Sequence, residues 1–98
     1  MPQKPITLVR GSDFRYAFTL PEKTSLFSEV TGEAKRSGCV LPFVTRLIPD
    51  SRICEVYLSS STTQGALLGT YKFGIRMVSA NSGEVAHTLP KLLKILPE

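Results

Sequence analysis

Polar and apolar positions alternate without a break from 70 to 77, within the segment 69–77. The apolar positions are Tyr71, Phe73, Ile75 and Met77. A period of two residues is typical of a strand that buries one face, so this segment is predicted to be a strand. Two further strands are predicted around it, one at 52–58 and one at 84–89, the second of them after a glycine-containing hairpin loop at 79–83.

The segment 59–68, which connects two of these strands, lacks the alternation. Ser61 and Gln64 have the S-x-x-Q spacing of a helix capping box, and Gly69 stands where a helix would end. A short helical turn is therefore predicted between the two strands.

Shorter apolar or alternating runs predict the other strands. They lie at 6–9, 14–20, 28–36, 39–47 and 92–96. Pro42 indicates an edge strand or a bulge, because proline cannot donate to a strand ladder. The last run is too short for a stable helix and is expected to be an edge strand, beside another strand of this molecule or of a neighbour. Seven or eight short antiparallel strands with frequent turns predict an all-β sandwich or small barrel.

The strand predicted at 14–20 carries a row of aromatic side chains on one face. The row consists of Phe14, Tyr16 and Phe18. Such a row could stack nucleic-acid bases, as it does in single-strand binding proteins. We favour a core position opposite Tyr71 and Phe73, because the other face of this strand supplies the solvent side.

Length and composition are those of one ordinary globular domain over residues 1–98. Hydrophobic residues make up 42% of the chain and charged residues 20%, so disorder is not predicted. The net charge of +4 is spread along the chain, which favours a solvated surface over a nucleic-acid footprint. No apolar run is long enough to span a membrane, and segment 1–5 lacks a signal-peptide pattern, so we expect synthesis in the cytosol.

Residue types that carry catalysis or bind metals are scarce. His87 is the only histidine, and its phase with Val85 and Leu89 predicts a partly buried position rather than a base or a ligand. No glycine-rich phosphate loop is present, and no pair of carboxylates stands out as acid and base. We therefore expect no catalytic, cofactor-binding or metal-binding residues and no enzyme activity.

Cys39 and Cys54 are the only cysteines. If Pro49 and Asp50 form the turn of an antiparallel hairpin, Cys54 faces Thr45 and the two cysteines do not face each other. A disulfide requires Cβ atoms within about 4.5 Å of each other. We therefore expect two reduced thiols, as is usual inside cells.

Two stretches of the chain resemble small structural proteins of tailed phages. The segment ITLVRGSDFRYAFTL, at 6–20, resembles an opening that is common among them, I-T-x-x-x-G-D-T/S-F followed by F-x-F. The segment 56–85, with VYLS, TT, LGTYKFGI and SGEV, resembles their pattern V-x-L-S…T-x-x-L-x-x-G-x-Y-x-Y-D-I…G-x-V, with Gly74 where an aspartate is common. The chain is thus similar to the immunoglobulin-like amino-terminal domain of lactococcal phage baseplate upper proteins.

The resemblance implies an immunoglobulin-like β-sandwich that serves as a non-enzymatic virion structural protein. We expect a tail or baseplate component that anchors fibre or receptor-binding proteins, assembled in the host cytoplasm and located in the virion. Its partners would be other virion proteins, in many copies of a symmetric assembly, with no small-molecule substrate, no membrane and no nucleic acid. Two alternatives stay open: a capsid decoration protein of the same fold, and a single-strand nucleic-acid-binding β-barrel.

The two terminal strands and the basic outer face of the central strand are the predicted contact regions. An exposed strand can join a neighbour's sheet, and repeated copies strengthen a weak contact. For the leucines of the last strand, packing within the molecule is the competing interpretation. The predicted contact residues are Ile6, Leu8, Lys72, Arg76, Leu92, Lys94 and Leu96.

Overall fold

In a computed structural model of the protein, residues 4–98 are described, and they form nine β-strands, one short α-helix and a 3-10 turn at Thr24–Leu26. In chain order the elements are β1 (Ile6–Val9), β2 (Phe14–Thr19), β3 (Phe27–Arg36), β4 (Cys39–Pro42), β5 (Val44–Leu47), β6 (Ile53–Leu58), α1 (Ser60–Gln64), β7 (Gly69–Ser79), β8 (Val85–His87) and β9 (Lys91–Leu96). Of the segment 1–5, in which no signal-peptide pattern was found, positions 1–3 lie outside the described residues.

The strands form two sheets that pack against each other. The first sheet has the order β1-β9-β7-β3-β4, with β8 also paired to β7, and the second has the order β2-β6-β5. The expected all-β sandwich is confirmed. One pair departs from the expected antiparallel arrangement, because β1 runs parallel to β9. The chain leaves the first sheet after β1, through the turn at 10–13, so β1 has no hairpin partner and pairs with the distant β9 instead.

Alternate side chains of β7 fill the core, as the pattern predicted. Tyr71, Phe73, Ile75 and Met77 are between 0 and 4% exposed. Phe14 and Phe18 of β2 are also buried, and Tyr16 is half-buried between them. The centroid of the Phe73 ring lies 5.6, 5.5 and 6.0 Å from those of Phe14, Tyr16 and Phe18. The core position of the aromatic row is therefore confirmed.

One extended segment, 39–47, contributes a strand to each sheet. Pro42 ends β4 at the edge of the first sheet, as its sequence position indicated. The Phe43 N–H then donates to the Gly32 carbonyl at 2.9 Å, and β5 continues in the second sheet. The Phe43 ring packs into the core, 5.8 Å from that of Phe73. This crossover divides one predicted strand into two and brings the number of strands in residues 4–98 to nine.

Strands β8 and β9 share one edge of β7, one after the other. Residues 69–73 of β7 pair with β9, and residues 76–78 pair with β8. Between the two, the Ile75 N–H donates to Thr88 Oγ1 at 3.0 Å, and the Thr88 N–H donates to the Ile75 carbonyl at 3.1 Å. A Cβ at Gly74 would lie 2.9 Å from Thr88 Oγ1, so glycine is what lets this hydroxyl approach the strand.

The final strand is not an edge strand, contrary to the expectation for 92–96. β9 lies between β1 and β7 and is hydrogen-bonded to both. Leu93 and Ile95 are buried, because they face the second sheet. The amino-terminal strand covers the edge that would otherwise be free, so β1 and β4 are the edges of the first sheet.

Apart from β1, which pairs with β9 in the first sheet, the distribution of strands between the sheets follows that of immunoglobulin-type sandwiches. With β2, β6 and β5 as strands B, E and D, the strands β4, β3, β7 and β9 correspond to C′, C, F and G. The Tyr71 hydroxyl, near the start of β7, donates to the Leu67 carbonyl at 2.6 Å. This bond is the tyrosine corner of such domains, which ties the connection between β6 and β7 to the core.

The helix α1 is capped two residues earlier than the capping-box spacing predicted. Ser59, not Ser61, is the N-cap, and its Oγ accepts the Thr62 N–H at 3.3 Å. The Asp13 carboxylate accepts the Ser60 N–H at 2.7 Å. This contact comes from a distant part of the chain, so the local pattern of serines could not reveal it.

The hairpin of β5 and β6 has a different register from the predicted one. Cys54 faces Leu47 rather than Thr45. The Ile48 N–H donates to the Ile53 carbonyl at 3.0 Å. The loop between β5 and β6 is therefore longer than the turn predicted at Pro49 and Asp50, and the register shifts with it. Both cysteines are free thiols, as expected.

Candidate partner-binding groove

A shallow groove runs over the outer face of the first sheet, the face that points away from the second sheet. Its volume is about 750 Å³. The bare backbone at Gly74 forms its floor, and β3 and the segment 87–90 form its sides. We call it the cationic groove and define it by the side chains of Thr31, Glu33, Lys35, Lys72, Arg76 and His87.

These side chains reach the groove because they alternate with the core positions of their strands. Lys72 and Arg76 point outward from β7, since their neighbours along the strand are buried. Lys35 of β3 faces Lys72, and Thr31 faces Arg76. From the other side of β7, His87 of β8 also faces Arg76. The pairing of three strands thus collects these cations on one surface.

The cations of the groove differ in their pairing with carboxylates. The Lys35 Nζ lies 2.8 Å from Glu33 Oε1, and the Arg76 guanidinium lies 3.8 Å from Glu29 Oε2. Among residues 4–98, no carboxylate forms an ion pair with Lys72. Because Lys72 has no such partner, the groove keeps an excess of positive charge around it. The two ion pairs are exposed, and exposed ion pairs contribute little to stability.

Most of the predicted contact residues lie on this outer face. Lys72 and Arg76 line the groove, and Leu92 faces Lys72 across the pairing of β7 with β9. Lys94 is exposed, and Leu92 and Leu96 are half-buried beside it. The last strand thus divides its side chains between an inner face in the core and an outer face open to a partner.

Ile6 and Leu8 lie elsewhere. Both belong to β1, and both are half-buried against the core. They face the second sheet, because β1 pairs in register with Leu93 and Ile95 of β9, which also face it. The structure therefore does not bring these two side chains to the groove.

His87 is exposed, so the expectation of a partly buried histidine is wrong. All residues of β8 are exposed. The strand ends at His87, because Thr88 turns its hydroxyl to the backbone of β7, and the predicted phase does not continue. Leu89, predicted to continue that phase, is 88% exposed. Pro90 was the sequence signal that this strand is interrupted. Sequence reasoning also missed Lys35 of β3 as a member of the groove.

A second cluster of reactive groups lies at the hairpin between β3 and β4. The Tyr71 hydroxyl oxygen lies 3.3 Å from Cys39 Sγ, and the Arg36 guanidinium lies 6.0 Å from the centre of the Tyr71 ring. The Tyr71 hydroxyl shares its single proton between the Leu67 carbonyl, at 2.6 Å, and Cys39 Sγ, and the hydrogen bond to the sulfur lowers the pKa of the Cys39 thiol. In contrast, burial raises the pKa of Cys54, whose side chain is 0% exposed.

Alkylation with iodoacetamide near neutral pH is therefore expected to modify Cys39 in the folded protein and to spare Cys54. The reactive species is the thiolate, and its formation and access both favour Cys39. Mass spectrometry of folded and denatured samples measures the difference, and the variants Cys39→Ala and Cys54→Ala assign each adduct. Labelling of Cys54 as fast as Cys39 in the folded protein would contradict its burial.

Searches against protein-family models and against curated proteins found no match for this chain. Within residues 4–98, no helix combines the length and the apolar character that crossing a membrane requires. The same part of the chain has no cluster of three or more histidine, cysteine, aspartate or glutamate side chains placed to hold a metal ion. The cationic groove is the surface feature with the most definite chemistry.

Proposed function

We propose that this protein is a non-enzymatic structural component of a tailed-phage tail or baseplate, and that it binds neighbouring virion proteins through the outer face of its first sheet. The observation that carries the proposal is that the cationic groove lies beside the half-buried Leu92, which faces Lys72, and that Leu96 is half-buried on the same face further along β9. Apolar contact area beside polar groups is what a protein interface requires. The resemblance of segments 6–20 and 56–85 to phage structural proteins supports the virion setting.

A modest contact is sufficient in a particle that repeats it. A specific interface between two free proteins buries about 800 Å² on each partner, whereas copies held in a symmetric array gain affinity from their effective concentration. The free edge of β1 offers a further contact, because a neighbour's strand can pair with its open backbone groups. Ile6 and Leu8 would keep their core contacts if a strand were added there.

Light scattering of the purified protein, alone and after mixing with virion proteins from the same source, tests the proposal. We expect a monomer that joins a larger assembly on mixing. A protein that keeps its own mass with every virion partner would contradict the proposed function.

The positions of the aromatic rings weigh against the nucleic-acid alternative. Phe14 and Phe18 are each 4% exposed. The Tyr16 ring packs edge-on against Phe73, with 5.5 Å between the ring centroids. Bases stack on exposed aromatic faces, and these faces point into the core.

A further inference from the structure

We propose that the cationic groove binds an acidic side chain from an extended segment of the partner protein, between Lys35 and Lys72. The inference rests on the proposed function and adds to it the chemistry of the partner. Three features support it: the charges of the groove, the shape of its floor, and an exposed leucine at its side.

The charge argument begins with two like charges placed directly opposite each other. Lys35 and Lys72 are partners in the ladder of β3 and β7, and both side chains are exposed. Opposed like charges destabilise a sheet. Lys35 turns to Glu33 on its own strand, at 2.8 Å, and Lys72 has no carboxylate partner within residues 4–98. A carboxylate placed between the two ammonium groups would relieve their repulsion and accept two charge-assisted hydrogen bonds.

The groove, with a volume of about 750 Å³, leaves room for such a side chain next to the Thr88 hydroxyl, which lies over Gly74. Gly74 lies next to Lys72 on the same face of β7 and has no side chain of its own. Thr88 fixes the neighbouring wall, because its hydroxyl accepts the Ile75 N–H at 3.0 Å. An extended segment can therefore lie along β7, with one side chain directed to the lysines.

The same charges distinguish a peptide from a nucleic acid. Glu33 and Glu29 lie among the cations on this face, at 2.8 Å from Lys35 and 3.8 Å from Arg76. A nucleic-acid backbone carries a charge on every nucleotide and would meet these carboxylates as well as the cations. A single carboxylate between Lys35 and Lys72 meets only one of them, Glu33, whose charge Lys35 already pairs. The groove also lacks the exposed aromatic faces on which single-stranded bases stack.

Leu89 gives the partner an apolar contact beside the groove. Its side chain is 88% exposed. It lies between Thr88, which is hydrogen-bonded to β7, and Pro90, whose ring restricts the backbone. A backbone held in place before binding loses less entropy when a partner covers its side chain.

Binding of a labelled peptide to the intact protein tests this inference. The probe is an extended valine- and threonine-rich peptide with a single central glutamate, and a second peptide has glutamine in place of that glutamate. By fluorescence anisotropy at an ionic strength of about 0.05 M, we expect Lys72→Gln to weaken binding of the glutamate peptide about fivefold to tenfold. The double variant K35Q/K72Q should weaken it further, and Leu89→Ser should weaken it at low and high salt alike.

Lys23→Gln is the matched control, because Lys23 is exposed in the loop before β3 and the change removes the same charge. It should leave binding within about twofold of the unchanged protein. Thermal unfolding checks the fold, and Lys72→Gln should not lower the midpoint, since it relieves a repulsion. Equal binding of the glutamine peptide, or an equal loss with Lys23→Gln, would overturn the inference. Stronger binding of a single-stranded oligonucleotide that Lys72→Gln abolishes would overturn it too.

The outcome is separable from that of the proposed function. If the protein joins virion proteins and Lys72→Gln joins them equally well, the groove inference fails and the structural role stands. If the glutamate peptide binds through Lys72 and no virion protein is bound, the structural role fails and the groove inference stands.

Discussion

Replacing Phe73 by alanine is expected to lower the free energy of unfolding by about 3–5 kcal/mol, the usual cost of truncating a buried phenylalanine. Phe73 is 2% exposed, and four aromatic rings surround it at centroid distances of 5.5 to 6.0 Å. These rings come from β2 and from the crossover at Phe43, so the cavity would open between the two sheets. A domain of this size has a total stability of about 5–15 kcal/mol. The substitution would therefore remove a large share of it.

Urea denaturation followed by circular dichroism measures this loss. Phe73→Leu retains part of the volume, is expected to cost about 1–2 kcal/mol, and keeps the result measurable if the alanine variant does not fold. Phe27→Ala is the matched control, because Phe27 is only half-buried at the start of β3. A loss for Phe73→Ala no larger than that for Phe27→Ala would contradict a core centred on Phe73.

Tyr71→Phe is expected to cost about 1–3 kcal/mol near neutral pH. Tyr71 is 0% exposed, and the change removes the hydroxyl that donates to the Leu67 carbonyl at 2.6 Å. The comparison is Tyr57→Phe, because the Tyr57 hydroxyl makes only an exposed hydrogen bond to Asp13, at 3.3 Å. We expect that control to stay within about 0.5 kcal/mol of the unchanged protein.

The advantage of tyrosine over phenylalanine at position 71 should disappear in alkali. The pKa of Tyr71 is raised from 10.0 to about 12 by burial, which is the larger cause, and by the hydrogen bond with Cys39. The unfolded chain thus ionises at a lower pH than the folded protein, so the stabilising effect is complete below pH 10 and is lost as the pH rises from 10 to about 12. A shift of this size corresponds to about 2–3 kcal/mol. Urea titrations of both proteins across this range should show the gap closing, and a constant gap would contradict the shift.

The elements with a strict local pattern could be predicted from the sequence. β7 was predicted because its buried and exposed side chains alternate without interruption, and β2 because its aromatic residues share one face. In these cases the residues that decide the structure are neighbours in the sequence.

Features that depend on distant residues could not be predicted. The position of β9 between β1 and β7 requires the amino-terminal strand to pair in parallel with the last one, which no local pattern shows. The contact from Asp13 to the first turn of α1 comes from a distant part of the chain, and the exposure of His87 depends on where Thr88 leaves the strand. The period of the apolar positions predicts which face of a strand is buried. It does not predict which strands lie beside that strand or which residues cover its buried face.

The same distinction applies to the groove. Lys72 and Arg76 could be placed on an outer face, because they alternate with buried residues on one strand. Lys35 could not be placed beside them, because its position depends on the register of β3 against β7. Leu89 was assigned to a strand and is instead the most exposed of the large apolar side chains in residues 4–98. The part of the candidate surface on β7 was therefore visible in the sequence, and the rest required the sheet.

Carbodiimide cross-linking of intact particles that contain this protein tests the central claim most directly. The reagent joins a lysine ammonium group to a carboxylate only where the two are in contact. Mass spectrometry of the digested particle is expected to show Lys72 or Lys35 joined to an aspartate or glutamate of another virion protein. Cross-links confined to lysines away from this face, such as Lys23, would contradict a virion contact through the cationic groove.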